Sequence, residues 1–365
     1  MNKGFIWSLI GVLAVVSVLV LSCAPEAKPT TPTTPTTPTT PTTPTQPQKE
    51  VFKWRAQTLW DAGENMYPVF VGWAERIAEL SDGQLLIEPN PVGAFTSYGE
   101  AFDAVRNGVF EIVGSTGGYE VGKDAAFELI SNCGVFFDTF MQRQTWFWHL
   151  GGIDLSREVY ESFGLYYVGP HGWGKESMVS KVPFRTLDDF KNVKIRTPEG
   201  FVTQLFAGLG ADVVTIPGSE VYMALATGVV DAADWGSPSM NYSKGFGEVT
   251  KYYTLPGFHS APGAGIALTM ENWNKLPDNL KAIVEAATRE YDTNQVMTAQ
   301  YDDSLAIQLL ADMGVQGIAV DAAARKEILR LTFDIWRDMA TRSKFGPAIV
   351  QSQFDYLKTL GLYVE

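Results

Sequence analysis

The segment 193–238 alternates apolar and polar residues in a way that predicts two strand–helix pairs. Val193 and Ile195 are apolar, and Lys194 and Arg196 are charged, which is the period-two pattern of a half-buried strand. Apolar runs and glycine stops then predict a helix, a strand, a second helix and a final strand at 199–209, 213–216, 220–227 and 229–233.

Two charged side chains stand at predicted strand ends in this segment. Arg196 precedes Thr197-Pro198, which interrupts a ladder because proline has no N–H to donate. Asp234 follows the last predicted strand and precedes Trp235. Ligands bind at the ends of strands in open α/β sheets, so Arg196 and Asp234 are candidate groups of one ligand site.

The folded part of the chain begins with a β–α–β pattern. Phe52–Trp60 alternates like a strand for most of its length, Tyr67–Leu80 has helical spacing, and Leu85–Pro89 is a second strand. This order predicts a parallel, doubly wound sheet. Farther along, Leu165–Gly169 predicts a strand, and the segment 170–176 predicts a loop that either lines a cleft or forms an ordinary turn.

Two stretches of the chain echo each other at an offset of 120 residues. Glu100–Val113 reads EAFDAVRNGVFEIV, and Glu220–Ala233 reads EVYMALATGVVDAA. Each predicts a helix stopped by a glycine and followed by a strand. Helix–glycine–strand units also coincide by chance in α/β proteins. The alternative is two similar lobes that deliver the residues after each copy, 114–119 and 234–235, to a shared cleft.

A long helix follows the second copy. An apolar strand at Ala264–Met270 leads to Pro277, and no helix breaker occurs between Pro277 and Gly314. A helix of about 35 residues is roughly 50 Å long. That length exceeds one small lobe, so the helix is expected to brace both. A strand at 315–320, a helix from Asp321 and a helix at 346–360 complete the chain.

The N-terminus has the features of a processed leader. Residues 1–23 combine Lys3 with an apolar run and end in Val20-Leu21-Ser22-Cys23, which looks like a bacterial lipobox with Cys23 as the lipidated residue. The alternative is a plain N-terminal membrane anchor. Residues 24–50 repeat Thr-Thr-Pro, which favours an extended, disordered tether. With Cys23 lipidated, only Cys133 is left, and a buried structural thiol is predicted there.

Composition narrows the function. The chain has 365 residues, 45% of them hydrophobic, which is enough for about two domains. Its net charge of −13 argues against nucleic acid as a partner. Only three histidines occur, and no HExxH, P-loop or CxxC pattern is present, which disfavours metal-hydrolase and nucleotide-binding functions.

These features together resemble the solute receptors of tripartite ATP-independent periplasmic (TRAP) transporters. The similarity covers roughly Phe52 to Glu365 and is strongest to the branch that binds 2-oxo and 2-hydroxy monocarboxylates. The motifs that carry it are KWRxQ, a GAL-like turn, KIRTP, an acidic-Trp pair and KYYxxPG, which here are Lys53–Gln57, Gly93–Phe95, Lys194–Pro198, Asp234-Trp235 and Lys251–Gly257.

The resemblance implies an α/β, two-lobed periplasmic-binding-protein fold of type II-like topology with a long helix spanning both lobes. The expected first lobe is 51–172 plus 262–302, and the expected second lobe, with the C-terminal helices, is 173–261 plus 303–365. The expected location is extracytoplasmic, with the protein anchored to a membrane by lipid on Cys23.

The resemblance also implies the site. Arg196 is expected to fork two N–H donors onto a substrate carboxylate. A cation is expected to bridge substrate and protein through Glu176, Asp234 and the Trp235 carbonyl, all oxygen ligands suited to Na⁺ or Ca²⁺. Glu176 stands where the branch has an amide and Asp234 where it has glutamate, which favours a divalent ion. No organic cofactor is expected. The predicted substrate-binding residues are Arg196, Trp235, Glu176, Trp60 and Tyr119.

The implied function is a non-enzymatic receptor that closes its lobes on a small 2-oxo or 2-hydroxy acid and delivers it to TRAP membrane subunits. Alternative ligands are a C4-dicarboxylate or an aromatic acid. A rival function is a metal-assisted hydrolase or lyase that uses Glu176 and Asp234 as an acid–base pair. A structural lipoprotein without a ligand is a third reading. A homodimer through the C-terminal helix is a further expectation.

Overall fold

The computed structural model describes residues 50–132, 136–257 and 262–363. The predicted leader with Cys23, the tether apart from Glu50, and Cys133 lie outside these residues. None of the helices in the described ranges is both long and apolar enough to cross a membrane.

The described residues form strands and helices that alternate along much of the chain. The strands are β1 (Phe52–Gln57), β2 (Leu85–Asn90), β3 (Ile112–Ser115), β4 (Leu165–Gly172), β5 (Ser177–Ser180), β6 (Lys194–Thr197), β7 (Asp212–Thr215), β8 (Ala232–Gly236), β9 (Tyr252–Thr254), β10 (Gly263–Thr269) and β11 (Gln316–Ile318). The helices are α1 (Tyr67–Leu80), α2 (Ala101–Arg106), α3 (Ala126–Ser131), α4 (Phe140–His149), α5 (Gly152–Glu161), α6 (Phe201–Gly208), α7 (Val221–Thr227), α8 (Pro238–Ser243), α9 (Met270–Lys275), α10 (Asp278–Asp312), α11 (Ala322–Ala340) and α12 (Gly346–Leu360).

The strands form two sheets with related topology. The first has the order β2-β1-β3-β10-β4 and the second the order β11-β9-β5-β8-β6-β7. Within each sheet three strands are parallel with the earliest in the middle, β2-β1-β3 and β7-β6-β8. The next strand, β10 or β5, is antiparallel to the third. The first β–α–β unit is parallel as predicted, and each sheet as a whole is mixed, because one strand arrives from the other sheet and runs in the opposite direction.

The repeat at an offset of 120 residues corresponds to the same elements in both sheets. Helix α2 and strand β3 repeat as α7 and β8, and 3-10 turns at Tyr98–Glu100 and Gly218–Glu220 precede the two helices. Gly108 and Gly228 both have positive φ, +73° and +77°, where they end the helices. The pattern in the sequence therefore reflects a repeated structural unit.

Helix α1 shows how local sequence sets an element. Pro68 lies in its first turn, where a missing N–H costs nothing. Its buried residues Phe70, Trp73, Ala74 and Ile77 follow helical spacing and face the first sheet. The predicted helix has the observed bounds.

Strand β4 is longer than predicted, because it continues through Pro170, His171 and Gly172. These residues pair with β10, and β4 is the edge strand of its sheet, where proline is tolerated. His171 is fully buried, and its Nδ1 lies 3.0 Å from Gln295 Oε1. Burial lowers the pKa of His171 to about 3. The predicted cleft loop therefore begins only at Trp173.

Helix α10 has 35 residues and carries a buried polar face toward the first sheet. Three side chains of this face accept hydrogen bonds from the first half of the chain. Trp73 Nε1 donates to Thr288, and Trp60 Nε1 donates to Tyr291. Arg143 Nη2 donates to Asp292. The same helix packs against α8 and β11, so it contacts elements of both sheets. This matches the expected long helix.

Helices α11 and α12 cover the core with their apolar faces. In α12 the buried residues are Ile349, Val350, Phe354 and Leu357, beside Gly346 and Gln353. The Gln353 side chain accepts from Trp336 Nε1 and donates to the Leu129 carbonyl. The apolar face of this helix is therefore used within the chain, and a dimer through it stays a prediction.

Arg143 and Asp292 form a buried ion pair that ties α4 to α10. The Nη2–Oδ1 distance is 2.5 Å, and the two side chains are 1% and 0% exposed. Room for the guanidinium depends on Gly172 and Gly263, where an added Cβ would lie 2.6 and 2.8 Å from Arg143 nitrogens. The Gln144 side chain also donates to Asp292.

Replacing Arg143 with methionine should lower the free energy of unfolding by about 3–5 kcal/mol, because Asp292 would be left as a buried, unpaired charge. The matched control is Arg330→Met, which removes exposed pairs with Glu327 and Asp334 and should cost less than about 1 kcal/mol. Urea unfolding of both variants measures the difference. Similar losses for the two variants would contradict the role assigned to the buried pair.

Candidate functional site

A cavity of about 90 Å³ lies between the carboxyl ends of strands from both sheets. Loops after β1 and β3 supply residues from the first sheet, and β6 and β8 supply residues from the second. All six residues predicted to bind substrate or cation line it, namely Trp60, Tyr119, Glu176, Arg196, Asp234 and Trp235. Arg196 and Asp234, which the rule on strand ends selected, therefore lie in one cavity with the four residues that the family resemblance implied.

Arg196 carries the positive charge at the centre of this cavity. It lies in β6 and is 3% exposed. Its Nε donates to the Ile216 carbonyl at 2.8 Å, and its Nη1 donates to the Asp234 carbonyl at 2.5 Å. Burial lowers the pKa of the guanidinium. The neighbouring Tyr119, Asp234 and Glu176 raise this pKa and so act against the effect of burial. Within the described part of the chain, these carbonyls accept from two of the five N–H donors, which leaves three for an acceptor in the cavity.

The indole of Trp235 forms one wall and shields this charge. The Arg196 guanidinium lies 5.4 Å from the ring centroid, within the range of a cation–π interaction. The ring packs against Gly218, where an added Cβ would lie 2.3 Å from Trp235 Cζ3. Gly218 belongs to the 3-10 turn before α7, so any larger side chain there would displace the indole.

Glu176 and Asp234 bring two buried carboxylates to the same cavity. Glu176 is 6% exposed, and its Oε1 accepts a hydrogen bond from Trp173 Nε1 at 3.1 Å. Asp234 is 2% exposed and lies in β8, where its backbone carbonyl holds Arg196. Oxygen ligands of this kind suit a hard cation such as Na⁺ or Ca²⁺. Across the described residues, no group of three or more His, Cys, Asp or Glu side chains gathers into a metal site.

Two tyrosines close the first-sheet side. Tyr119 lies in a 3-10 turn after β3, and its ring centroid is 5.3 Å from that of Tyr98. Burial raises the pKa of Tyr119 to about 12, with a lowering contribution from Arg196. Burial raises the pKa of Tyr98 as well. Both phenols are therefore neutral donors at pH 7. Trp60 is 2% exposed and packs edge-on to Trp173.

An ion cluster that the sequence analysis missed joins the two sheets beside the cavity. Lys244 follows α8 and contacts the carboxylates of Asp61 and Glu64, with 2.7 Å to Glu64 Oε1. Its Nζ also lies 5.4 Å from the Trp235 ring centroid. Burial raises the pKa of Glu64, and Lys244 lowers it. The position of Asp61 and Glu64 just after β1 was the available signal, since that is also a strand end.

Glu120, next to Tyr119, is a fully buried carboxyl behind the cavity wall. Ser115 Oγ donates to its Oε1 at 2.9 Å, and Lys123 Nζ lies 3.7 Å from Oε2. Burial raises the pKa of Glu120 from 4.5 to about 7, against the lowering effect of these partners. The folded protein therefore favours the protonated form more than the unfolded chain does.

A raised folded-state pKa makes a contribution to stability that is complete below pH 4.5 and is lost as the pH rises through about 7. Glu120→Gln keeps a neutral group of similar shape and should remove this loss. We expect the variant to gain stability relative to the unmodified chain at pH 8 compared with pH 5, measured by urea unfolding. The exposed Glu158→Gln is the control, and an equal difference at both pH values would refute the assignment.

The chain is similar to one family of known proteins along most of its length. Residues 56–343 match the family model described as bacterial extracellular solute-binding protein, family 7. A monocarboxylate 2-oxoacid-binding periplasmic protein from Nostoc sp. is 26% identical over 300 residues, which cover 80% of each chain.

Solved structures give the same fold. A TRAP periplasmic solute binding protein from Rhodobacter sphaeroides, in an apo open form, is 30% identical with a TM-score of 0.71 over 86% of this chain and 100% of its own. One from Pseudoalteromonas atlantica, with bound sodium and pyruvate, is 23% identical with a TM-score of 0.78 over 86% and 95%. One from Colwellia psychrerythraea, with bound calcium and pyruvate, is 22% identical with a TM-score of 0.77 over 86% and 96%.

Proposed function

Because the chain belongs to family 7 of the bacterial extracellular solute-binding proteins, the TRAP receptor family, we propose that its cavity captures a small 2-oxo or 2-hydroxy monocarboxylate. The prediction of a receptor rather than an enzyme is confirmed by this membership. The observation that carries the proposed ligand class is the buried Arg196 guanidinium, with three N–H donors left over inside the cavity.

The charges around the cavity favour a single carboxylate. Among the described residues that line the cavity, Arg196 is the one cation, and Lys244 beside the cavity is paired with both Asp61 and Glu64. Even with a metal ion at Glu176 and Asp234, a second carboxylate on the ligand would find no second arginine or lysine in that lining and would share the cavity with the carboxylates of Glu64 and Glu199. This disfavours the C4-dicarboxylate alternative.

The size of the cavity favours a small ligand. The cavity has a volume of about 90 Å³, several times the ~10–15 Å³ that a single water molecule requires. An acid the size of pyruvate fits that space, and an aromatic acid would need a wider separation of the two sheets. The Nostoc relative, named for binding 2-oxoacids, agrees with this ligand class.

We also propose that a cation joins the ligand through Glu176, Asp234 and the Trp235 carbonyl. Both carboxylates are buried, line the cavity and are hard oxygen donors. Relatives were crystallised with sodium or calcium together with pyruvate, which supports the idea for this chain. When bound, the cation would offset the charge of the two carboxylates, so that an anionic ligand could enter beside them.

Closure of two lobes is the proposed route of capture. The proposed lobes are 51–172 plus 262–302 and 173–261 plus 303–365, and their connections are the segments after β4 and β9 and the helix α10. The closed form would deliver the acid to TRAP membrane subunits. Lipid on Cys23 and a dimer through the C-terminal helix stay predictions.

Arg196→Lys tests the carboxylate site. Lysine keeps the charge but loses the planar fork, so affinity for pyruvate should fall by about 1.5–3 kcal/mol, roughly 10- to 150-fold. Calorimetric titration in the presence of Ca²⁺ measures this, with the exposed Arg106→Lys as the matched control. Unchanged affinity in Arg196→Lys would rule out Arg196 as the carboxylate ligand.

Removing divalent ions tests the cation. Treatment with EDTA should weaken pyruvate binding, and added Ca²⁺ should restore it, because the ion offsets the repulsion between Glu176, Asp234 and the acid. In Asp234→Asn the effect of Ca²⁺ should become smaller. The same titration curve for pyruvate with EDTA and with Ca²⁺ would remove a divalent cation from the site while leaving the role of Arg196 open to its own test.

A further inference from the structure

A second cavity, which we call the rear cavity, lies behind the segment that supplies Glu176. Its volume is about 170 Å³, larger than the 90 Å³ of the cavity around Arg196, which we call the ligand cavity. Lys175 lines the rear cavity, and Glu176, the next residue, lines the ligand cavity. The chain at 175–176 therefore separates the two.

The rear cavity is built around chain crossings between the sheets. Residues 173–176 connect β4 to β5, and Gly257 lies in the connection from β9 to β10. A Cβ on Gly257 would lie 2.6 Å from Lys175 Cβ and 2.8 Å from the Glu176 carbonyl oxygen. The two crossings are therefore in direct contact, and Gly257 is what permits it.

The lining combines an apolar floor with two cations and one carboxylate, that of Asp138. Phe136 and Ile328 are buried, and Val320 and Leu329 are partly buried. Lys175 and Arg325 supply positive charge, and Arg325 lies 3.6 Å from Asp138 at an exposed position.

Lys175 differs from Arg325 because it forms no ion pair with the described residues, whereas Arg325 pairs with Asp138. Throughout residues 50–132, 136–257 and 262–363, no carboxylate lies within 4.0 Å of it and no acceptor is hydrogen-bonded to it. A half-buried ammonium in this setting gains from an anion placed beside it.

We propose that the rear cavity is a second ligand site, for an organic anion with one carboxylate and a compact apolar body. The carboxylate would lie against Lys175 and the body against Phe136 and Leu329. The volume of about 170 Å³ is nearly twice the 90 Å³ of the ligand cavity, and the apolar floor suits an aromatic ring bearing a carboxylate. This site does not depend on the function proposed for the ligand cavity.

Occupation of the two cavities should be linked, and this consequence does rest on the proposed function. Both cavities occur in the same arrangement of the two sheets and share the crossing at 175–176. In the proposed closure the spacing of the two sheets changes both cavities, so ligands that each prefer this arrangement should tighten each other's binding by the same factor.

Benzoate is the probe, and benzylamine, of similar shape and opposite charge, is its matched control. Titration calorimetry on the full chain carrying Arg196→Met excludes binding at the ligand cavity. We expect benzoate to bind this variant and benzylamine not to bind. Adding Lys175→Met, which removes the ammonium, or Val320→Trp, which fills the space, should weaken benzoate at least tenfold. Lys191→Met, at an exposed lysine paired with Asp188, should leave it unchanged.

The site is overturned if benzoate gives no binding in the Arg196→Met background, or if neither Lys175→Met nor Val320→Trp weakens it there. Val320→Trp decides the matter should Lys175→Met fail to fold. In the chain with Arg196 intact, saturating benzoate should lower the Kd for pyruvate. An unchanged Kd would overturn the linkage and leave the second site standing.

Discussion

The burial of the Arg196 charge is the constraint on which the rest of the site depends. A guanidinium that is 3% exposed has lost most of its water, so its N–H donors need acceptors from the protein or from a ligand. The carbonyls of Ile216 and Asp234 provide two acceptors and thereby fix the ends of β7 and β8 around β6. Trp235 covers the charge, and Gly218 makes room for the indole. A ligand carboxylate can supply acceptors for the remaining N–H donors of Arg196.

The first sheet contributes uncharged aromatic side chains on its side of the cavity, and hydrogen bonds to helix α10 hold the tryptophans in place. Trp60 donates to Tyr291, and Trp73 donates to Thr288 on the same helix face. Asp292, on that face as well, pairs with Arg143. Unsatisfied polar groups would be costly in this interior, so the helix is held in one rotation and one register. Since α10 also packs against α8 and β11, the same helix relates the two sheets to each other.

The repeated unit explains why the ligand cavity lies where it does. In each sheet the third parallel strand, β3 or β8, ends in residues that line the cavity, Thr116 to Tyr119 or Asp234 to Trp235. A strand from the other sheet then joins antiparallel, and the connections this requires pass between the sheets. The ligand cavity and the rear cavity lie on opposite sides of those connections.

The sequence by itself determined most of the elements and placed Arg196 and Asp234 at strand ends. Hydrophobic period and glycine or proline stops act between neighbours along the chain, which is why α1, α10 and α12 lie close to where they were predicted. Arg196 and Asp234 were found because strand ends meet at one edge of a sheet, and the motifs of the family pointed to the same residues.

Only the tertiary structure decided how distant parts of the chain meet. The direction of β10, the extension of β4 through Gly172, and the pairing of Asp61 with Lys244, 183 residues apart, depend on where the chain crosses between the sheets. The rear cavity likewise brings Phe136, Lys175, Gly257 and Ile328 together from four separate segments. Local patterns carry no information on such crossings, because the free energy that selects them comes from contacts that exist only once the sheets have assembled.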